Sequence, residues 1–148
     1  MKLIFLDIDG VLNSASGRGP YESDMEVEKL FLLSKLIKDS NSDGVVITSD
    51  RRYSSVDMKD KYKTFSKYNI KVIGLLRNPN DDLEDNRGKQ IMDFLINSKD
   101  EITHMLILDD NDEGISNLFN DVFIKVNRFY GLSQSDYVQG IHLLSNQY

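Results

Sequence analysis

Five short apolar runs are distributed along the chain, and polar residues bound each of them. The runs contain mainly Ile, Leu, Val and Phe, and none is long enough to suggest a buried helix. Short β-branched-rich runs between polar breaks are typical of the buried strands of a parallel sheet, whose two faces are both covered. The pattern therefore predicts five strands, over residues 2–6, 45–47, 71–76, 105–108 and 122–126.

Amphipathic stretches of helix length separate these runs. In the first stretch Val27, Leu30 and Ile37 follow helical spacing. Ser23, with Glu26 three residues later, matches a capping box at its start. The pattern predicts helices over residues 25–39, 55–68, 89–97 and 135–145, with a short helix after residue 113. This alternation predicts an α/β fold, a doubly wound, mainly parallel five-stranded sheet with helices on both faces.

Polar residues that follow the predicted strands carry the candidate chemistry. They end the first, second and fourth runs: Asp7, Asp9, Thr48, Asp109 and Asp110. Ligands of open α/β sheets bind beyond the carboxyl ends of the strands, so we expect these side chains to gather at one edge. Four carboxylates in one place raise one another's pKa values unless a cation lies among them. Carboxylate oxygens and water are ligands that Mg²⁺ prefers, so the pattern predicts a Mg²⁺ site.

Length and composition narrow the class of protein. The chain has 148 residues, 40% of them hydrophobic and 28% charged, which suits one folded domain over residues 1–148. Its net charge of −6 argues against a protein that coats nucleic acid through bulk charge. The lack of cysteine excludes disulfides, thiol nucleophiles and Cys-ligated zinc. The apolar runs are far shorter than a membrane span, and Asp7 interrupts any signal-peptide core, so we expect a soluble cytoplasmic protein.

The first strand end and its flanks resemble a known motif. Residues 5–12, Phe-Leu-Asp-Ile-Asp-Gly-Val-Leu, are similar to the first motif of the haloacid dehalogenase (HAD) superfamily of phosphohydrolases. The other three HAD motifs are matched in the same order. They are a hydrophobic strand ending in Thr48, a cation at a helix start (Arg87 or Lys89), and the acidic pair Asp109–Asp110. The resemblance extends over residues 4–113 and implies the HAD fold.

The resemblance implies a phosphomonoester hydrolase that works through an aspartyl-phosphate intermediate. Asp7 would be the nucleophile. Asp9 would be the general acid that protonates the leaving oxygen, and then the base that activates water. Mg²⁺ would be held by Asp7, the backbone carbonyl of Asp9 and Asp110, with Asp109 in support. HAD members that dehalogenate or pump ions lack an acid at the position of Asp9, so the chain resembles the phosphatases and phosphotransferases.

Other motif positions imply contacts with the substrate. Thr48 would hydrogen-bond the transferring phosphoryl group, helped by the Ser49 amide, and Gly10 completes the first motif on the substrate side. The stretch after Thr48 resembles small HAD domains, some of them in RNA-repair proteins, that carry Ser/Thr-Ser-x-Trp-Arg. Arg52 matches the Arg of that pattern and is a candidate for substrate contact. Arg51 stands where Trp would be, and we assign it to the surface.

Two residues compete for the role of the third-motif cation. Arg87 fits better, because Gly88 and Ile91 then match the commoner Lys-Gly-x-x-aliphatic pattern. Arg also offers bidentate phosphate contacts, whereas Lys89 would offer a point charge. Either residue is alternatively a solvated residue at a helix start. Residues 112 and 113 are also acidic, and they either add an outer carboxylate to the metal site or cap the helix that follows.

The intervals between the motifs are too short for a folded cap domain. One predicted helix and a polar Gly/Ser-rich loop separate Gly10 from Thr48. One helix, one strand and an acidic loop over residues 78–86 separate Ser49 from Arg87. We therefore predict a capless or minimally capped domain with an open site. Such a site accepts a small phosphate ester or a bulky phosphate such as a nucleic-acid end, whereas the acidic loop disfavours a long polyanion.

Three other functions stay open at this stage. A receiver-like phosphoacceptor domain has similar residues on a doubly wound sheet, but its acidic pair comes first and its acceptor Asp lies on a middle strand. A catalytically silent HAD-like binding module would keep the fold without turnover. A sugar-nucleotide transferase that uses its Asp-x-Asp for Mn²⁺ needs a larger nucleotide-binding domain. Loss of turnover in Asp7→Asn would distinguish the enzyme from the silent module.

Overall fold

The strands form one parallel five-stranded sheet and a small hairpin, in a computed structural model that describes residues 1–76 and 86–145. The hairpin strands β2 and β3 pair only with each other, and the sheet order is β5-β4-β1-β6-β7. The order reverses at β1, so the expected ligand crevice lies between β1 and β6. The strands are β1 (Lys2–Leu6), β2 (Tyr21–Glu22), β3 (Met25–Glu26), β4 (Gly44–Ile47), β5 (Val72–Leu75), β6 (His104–Asp109) and β7 (Phe123–Lys125).

Helices cover both faces of the sheet. Because successive side chains of a strand point to opposite faces, β1 contributes to two cores. Ile4 and Leu6 belong to the larger core, with residues of α1, α2 and α5. Leu3 and Phe5 belong to the smaller core, with residues of α3 and α4. The helices are α1 (Val27–Ser40), α2 (Ser55–Lys67), α3 (Arg87–Asn97), α4 (Ile115–Phe119) and α5 (Gln134–Ser145). The predicted doubly wound α/β fold is confirmed.

The predicted start of the first helix is wrong. The residues expected to open it form the β2–β3 hairpin instead, and its turn residues Ser23 and Asp24 have φ values of 51° and 62°. Helix α1 begins at Val27, and Glu26 before it makes no side-chain capping hydrogen bond. The Ser23 hydroxyl lies 2.7 Å from the Thr64 hydroxyl of α2. Ser23 therefore ties the hairpin to α2, and the predicted capping box does not form.

Other elements differ from the predicted bounds by a few residues. Helix α3 begins at Arg87, two residues early, because the Asn86 side chain accepts from the backbone N–H of Lys89 at 2.9 Å and caps the helix. Strand β7 is shorter than predicted, since Asn120–Val122 forms a 3-10 turn. The predicted acidic loop over residues 78–86 lies, apart from Asn86, outside the described residues.

The carboxyl ends of β1, β4 and β6 lie side by side. The backbone N–H of Asp7 donates to the carbonyl of Leu108 at 3.0 Å, and that of Thr48 donates to Leu6 at 2.9 Å. A 3-10 turn, Asp50–Tyr53, follows β4 almost directly. Between β1 and β4 the only insertion besides α1 and its loops is the β2–β3 hairpin, far smaller than a cap domain. None of the helices among the described residues has the length and apolarity that a membrane span requires.

Candidate active site

Three carboxylates meet at the crevice between β1 and β6. Asp7 directly follows β1, Asp109 is the last residue of β6, and Asp110 comes next. One oxygen from each of the three lies within 4.8 Å of the others. Gly10 makes room for this group, because its φ is 81° and a Cβ at this position would lie 2.3 Å from Oδ2 of Asp110. The structure thus brings together the first and fourth motifs.

Burial and neighbouring negative charge raise the pKa values of two of these carboxyl groups. Burial is the largest cause of the raised pKa of Asp7, followed by the negative charge of Asp109, and Arg87 partly opposes both. Burial also dominates the raised pKa of Asp109, against the lowering effects of Arg87 and the Asn111 backbone N–H. A divalent cation among the three would reverse the direction of both shifts. The residues fit Mg²⁺, since they are hard carboxylate oxygens that converge on one place.

Arg87 supplies positive charge beside the carboxylates. Its Nη1 lies 3.2 Å from Oδ2 of Asp109, and its Nη2 lies 3.3 Å from Oδ1 of Asp50 and 3.4 Å from Oε2 of Glu113. The side chain is buried. Gly88 allows this approach, because a Cβ there would be 2.3 Å from the Gly114 carbonyl oxygen. The first turn of α3 therefore packs against the loop before α4, with Arg87 inside the crevice.

Lys89 occupies a different environment. Its side chain is exposed, and it is not among the residues that line the crevice. The two candidate cations of the third motif are thus separated: Arg87 is in the site and Lys89 is on the solvent side of α3. Helical geometry explains the difference, since residues two apart on a helix do not share a face.

Two buried polar atoms of the motif residues have no hydrogen-bond partner among the described residues. They are the Thr48 hydroxyl, at the end of β4, and Nε of Arg87. A buried polar atom without a partner is costly, so such atoms call for a ligand or a water molecule. Ser49, the next residue, lines the crevice, and its hydroxyl accepts from the backbone N–H of Arg51. A bound oxyanion would provide acceptors for both the hydroxyl and the guanidinium.

Asp9 is bound by a residue that the sequence analysis assigned to the surface. Arg51 donates to both carboxylate oxygens of Asp9, each at 2.8 Å. Its Nη1 also lies 3.5 Å from Asp24 and 3.6 Å from Asp57. Burial alone would raise the pKa of Asp9, but hydrogen bonds from Arg51 and Asn13 outweigh it and lower that pKa. The surface assignment of Arg51 is wrong, because its guanidinium lines the crevice.

Arg52 points away from the crevice into the protein. Its Nε donates to the Leu76 carbonyl at 2.8 Å, and its Nη1 donates to the Thr48 carbonyl. Its Nη2 donates to the Tyr53 hydroxyl at 2.7 Å and to Gln90 at 3.1 Å. Arg52 is buried and is not among the residues that line the crevice. Its placement does not fit the expected substrate contact and indicates a structural tie between β4, β5 and α3.

Several residues of the site had no role in the sequence analysis. Arg128, in the loop after β7, has its Nε 3.4 Å from Oδ2 of Asp110. Asn13 donates to Asp9 at 2.9 Å and accepts from the Gly10 backbone N–H at 2.8 Å. An Asn three residues after a turn glycine is a usable sequence signal, whereas Arg128 has none. The lining residues of the crevice, about 200 Å³ in volume, are Asp7, Asp9, Ser49, Asp50, Arg51, Arg87, Asp109, Asp110, Asn111, Glu113 and Arg128.

The two acidic residues after Asp110 have separate roles. Asp112 accepts from the backbone N–H of Ser116 at 2.9 Å and from its hydroxyl, so it caps the short helix α4. Glu113 lies beside Arg87 at the wall of the crevice. Of the two alternatives that the sequence left open, capping therefore applies to Asp112, and an outer carboxylate of the metal site stays a prediction for Glu113.

Comparison with known proteins agrees with this arrangement. Residues 3–137 match the family model described as the HAD domain in Swiss Army Knife RNA repair proteins. Searches of curated proteins and of solved structures gave no significant match. The order of the strands also differs from that of receiver domains. Numbered along the chain without the hairpin, the five strands of the sheet lie in the order 3-2-1-4-5, whereas those of receiver domains lie in the order 2-1-3-4-5. The match covers nearly the whole chain, which therefore belongs to this family of HAD domains.

Proposed function

We propose that the protein is a Mg²⁺-dependent phosphomonoester hydrolase that transfers the phosphoryl group first to Asp7 and then to water. Membership in the family supports HAD-type phosphohydrolase activity in general. The observation that supports Mg²⁺ dependence and transfer to Asp7 is the crevice between β1 and β6. There, Asp7, Asp109 and Asp110 converge within 4.8 Å beside Arg87, whose Nε has no partner among the described residues. The Thr48 hydroxyl, which is buried at the end of the neighbouring strand β4 and does not itself line the crevice, also has no such partner.

Four groups would hold the metal ion, namely the side chains of Asp7, Asp110 and, in support, Asp109, and the backbone carbonyl of Asp9. When bound, Mg²⁺ supplies positive charge that offsets the charge of the phosphoryl oxygens. Asp7 must be ionised to attack, and positive charge at the crevice favours that form. Arg87 contributes part of this charge from the protein itself, as its opposing effect on the raised pKa of Asp7 indicates.

In the first step an oxygen of Asp7 attacks phosphorus, and the bond between phosphorus and the leaving oxygen breaks. The leaving oxygen takes a proton from Asp9. In the second step Asp9 takes a proton from water, whose oxygen attacks phosphorus and displaces Asp7. The products are the alcohol, inorganic phosphate and the original Asp7 carboxylate. Because Arg51 holds Asp9 as a carboxylate, this ion pair must open before Asp9 acts as an acid.

Thr48 and Arg87 would bind the phosphoryl oxygens that are neither attacked nor displaced. The transferring group carries its charge on these oxygens, so fixed donors here stabilise the transition state. Thr48 offers one hydroxyl donor, and Arg87 offers Nε together with the Nη atoms that now contact carboxylates. Ser49 lines the crevice, and its backbone N–H would be a further donor to the phosphoryl oxygens.

We infer the substrate class in part from the described part of the crevice, where no cap domain is found. An uncovered site accepts a phosphate on a large molecule, and the matched family is named for RNA repair. We therefore place phosphorylated nucleic-acid ends first among the substrates and small phosphate esters second. Long double-stranded nucleic acid is disfavoured by the net charge of −6.

The test is hydrolysis of p-nitrophenyl phosphate with and without Mg²⁺, by the wild type and by Asp7→Asn. We expect Mg²⁺-dependent turnover that Asp7→Asn abolishes, with Asp100→Asn, an exposed aspartate before β6, as the matched control. A beryllium fluoride adduct on Asp7, detected by fluorine NMR, should form in the wild type and not in Asp7→Asn. A folded wild type with neither turnover nor adduct would contradict the proposal and favour the silent binding module.

A further inference from the structure

Two loops form a rim beside the crevice. The loop after β1 and the loop after β7 pair through backbone hydrogen bonds, from Ala15 to the carbonyl of Arg128 at 3.0 Å and from Ser16 to that of Phe129 at 3.1 Å. Both loops follow the carboxyl ends of strands, so the rim stands at the catalytic edge of the sheet. Arg128 joins the rim to the site, since it lines the crevice 3.4 Å from Asp110.

The rim exposes two aromatic rings side by side. Phe129 and Tyr130 are 51% and 50% exposed, and their ring centroids are 5.0 Å apart at an interplanar angle of 90°. The guanidinium carbon of Arg18 lies 5.4 Å from the centroid of the Tyr130 ring. Arg18 and Arg128 are both exposed, so the rim combines two aromatic rings with two cations.

We propose that this rim, formed by Arg18, Arg128, Phe129 and Tyr130, binds the nucleoside that carries the phosphate. A base of the substrate stacks on the exposed ring faces, and the two arginines bind the adjoining phosphodiester. The inference rests on the proposed function, because it requires the phosphate of the same molecule to reach Asp7. It goes beyond that function by naming the residues that select a nucleotide over other phosphate esters.

The chemistry of the rim favours a nucleotide over other bulky phosphates. Aromatic side chains stack on every base, and arginines bind phosphates and ring faces, which is the usual composition of single-strand binding surfaces. A sugar phosphate has no flat ring to stack, and a phosphopeptide has no repeated backbone phosphate. Local positive charge within a chain of net charge −6 suits a contact with one or two nucleotides at a strand end rather than along a strand.

The test is binding of a fluorescent single-stranded tetranucleotide with a terminal phosphate, measured by fluorescence anisotropy. Substrate turnover is prevented by working with Asp7→Asn as the parent, and 3′- and 5′-phosphorylated strands form separate arms. Phe129→Leu and Tyr130→Leu remove a ring while keeping apolar bulk. The matched control is Phe31→Leu, which removes a ring that is 62% exposed on α1 and contacts Tyr68 edge-to-face away from the crevice.

We expect Phe129→Leu and Tyr130→Leu each to weaken binding of the preferred strand about tenfold, the order expected for losing one stacked base. Arg18→Gln should weaken binding about threefold and reduce its dependence on salt. Phe31→Leu should bind like the parent. The proposal is overturned if the parent does not bind the strand, if the rim variants bind like the parent, or if a phosphopeptide binds as tightly.

Hydrolysis of glycerol phosphate separates this inference from the proposed function. The ester has no ring, so in an otherwise wild-type background Phe129→Leu and Tyr130→Leu, which lie outside the crevice lining, should hydrolyse it at the wild-type rate. Turnover of this ester together with unchanged strand binding in the rim variants would retain the hydrolase and reject the rim. Rim-dependent strand binding without turnover of any ester would retain the rim and reject the hydrolase.

Discussion

Arg51 donates hydrogen bonds to both carboxylate oxygens of Asp9, each at 2.8 Å, and the two residues form a bidentate ion pair that lines the crevice. Asp9 remains 54% exposed at its side chain, so the pair is open to solvent. Asp24 and Asp57 lie within 3.6 Å of the same guanidinium and give it alternative partners. Arg51 can therefore release Asp9 without leaving its own charge unpaired.

We expect Arg51→Gln to change the pH dependence of turnover. The pKa of Asp9 is lowered mainly by hydrogen bonds from Arg51 and Asn13, against the raising effect of burial, so removing Arg51 raises it. Asp9 must be protonated to act as an acid, and activity falls as pH rises through its pKa. The alkaline limb of the kcat profile should therefore move to higher pH, and Arg51→Lys should restore part of the change.

Arg52→Gln, at the next residue, is the control variant for Arg51→Gln. Arg52 lies outside the crevice and donates to the carbonyls of Thr48 and Leu76. Its replacement leaves buried acceptors unpaired and should lower the free energy of unfolding by about 2–4 kcal/mol in urea titrations. The alkaline limb of kcat should stay in place. A shift of that limb in Arg52→Gln, or none in Arg51→Gln, would contradict the roles that the structure indicates.

Arg87 and Lys89 should differ sharply in their effect on turnover. Arg87→Gln removes the cation beside Asp109 and, under the proposed function, a donor to the phosphoryl group, so kcat/KM should fall about 10²–10³-fold. Lys89→Gln changes an exposed side chain and should stay within about twofold of the wild type. Steady-state kinetics with p-nitrophenyl phosphate measures both, and circular dichroism checks that Arg87→Gln is folded. Equal losses in the two variants would reject the assignment of Arg87.

Gly10→Ala should weaken Mg²⁺ binding. A Cβ at Gly10 would lie 2.3 Å from Oδ2 of Asp110 and push that carboxylate aside. The matched control is Gly19→Ala, at φ 72° against 81° for Gly10, since among the described residues no heavy atom beyond its chain neighbours would lie within 4 Å of the added Cβ. Both substitutions carry a conformational cost of about 1–2 kcal/mol, but only Gly10→Ala adds the clash.

The readout is the increase in Tm caused by millimolar Mg²⁺, since a ligand that binds the folded state stabilises it. We expect the wild type and Gly19→Ala to show an increase of several degrees, and Gly10→Ala to show little or none. A full Mg²⁺ response in Gly10→Ala would show that the ion does not require Asp110 in its present position.

Asp112 should stabilise the fold in a pH-dependent manner. Hydrogen bonds from the Ser116 side chain and backbone lower its pKa in the folded state. A lowered folded-state pKa contributes stability above the unfolded value, near 3.9, and this contribution is lost as pH falls through the folded value. Asp112→Asn should thus cost about 1 kcal/mol at pH 7, and this cost should shrink as the pH is lowered below about 3.9, measured by urea unfolding at a series of pH values. The matched control at pH 7 is Asp121→Asn, an exposed aspartate in the 3-10 turn after α4, which should unfold like the wild type.

The strand-end carboxylates were predictable because two simple regularities agree. Buried parallel strands appear as short apolar runs, and their carboxyl ends meet at one edge of the sheet. Asp7, Asp109 and Asp110 follow two such runs, and those runs became the adjacent strands β1 and β6. Side-chain periodicity along β1 likewise predicts two cores, with Ile4 and Leu6 on one face and Leu3 and Phe5 on the other.

The sequence pattern did not predict the directions in which the side chains of Arg51 and Arg52 point. Both lie in the 3-10 turn Asp50–Tyr53, where successive side chains differ in direction by about 120°. Arg51 consequently faces Asp9, and Arg52 faces the interior. The local sequence is equally compatible with the opposite arrangement, because the choice depends on the distant acceptors at Asp9 and Leu76.

The same limit explains Arg128 and the β2–β3 hairpin. Arg128 reaches Asp110 because β7 packs beside β6, and the Ser23 hydroxyl of the hairpin turn contacts the Thr64 hydroxyl of α2, 41 residues away in sequence. Apolar periodicity and strand-end chemistry are local properties, so they can be predicted along the chain. Which polar side chains meet at the crevice is set by contacts between residues far apart in sequence, and those exist only after the sheet has assembled.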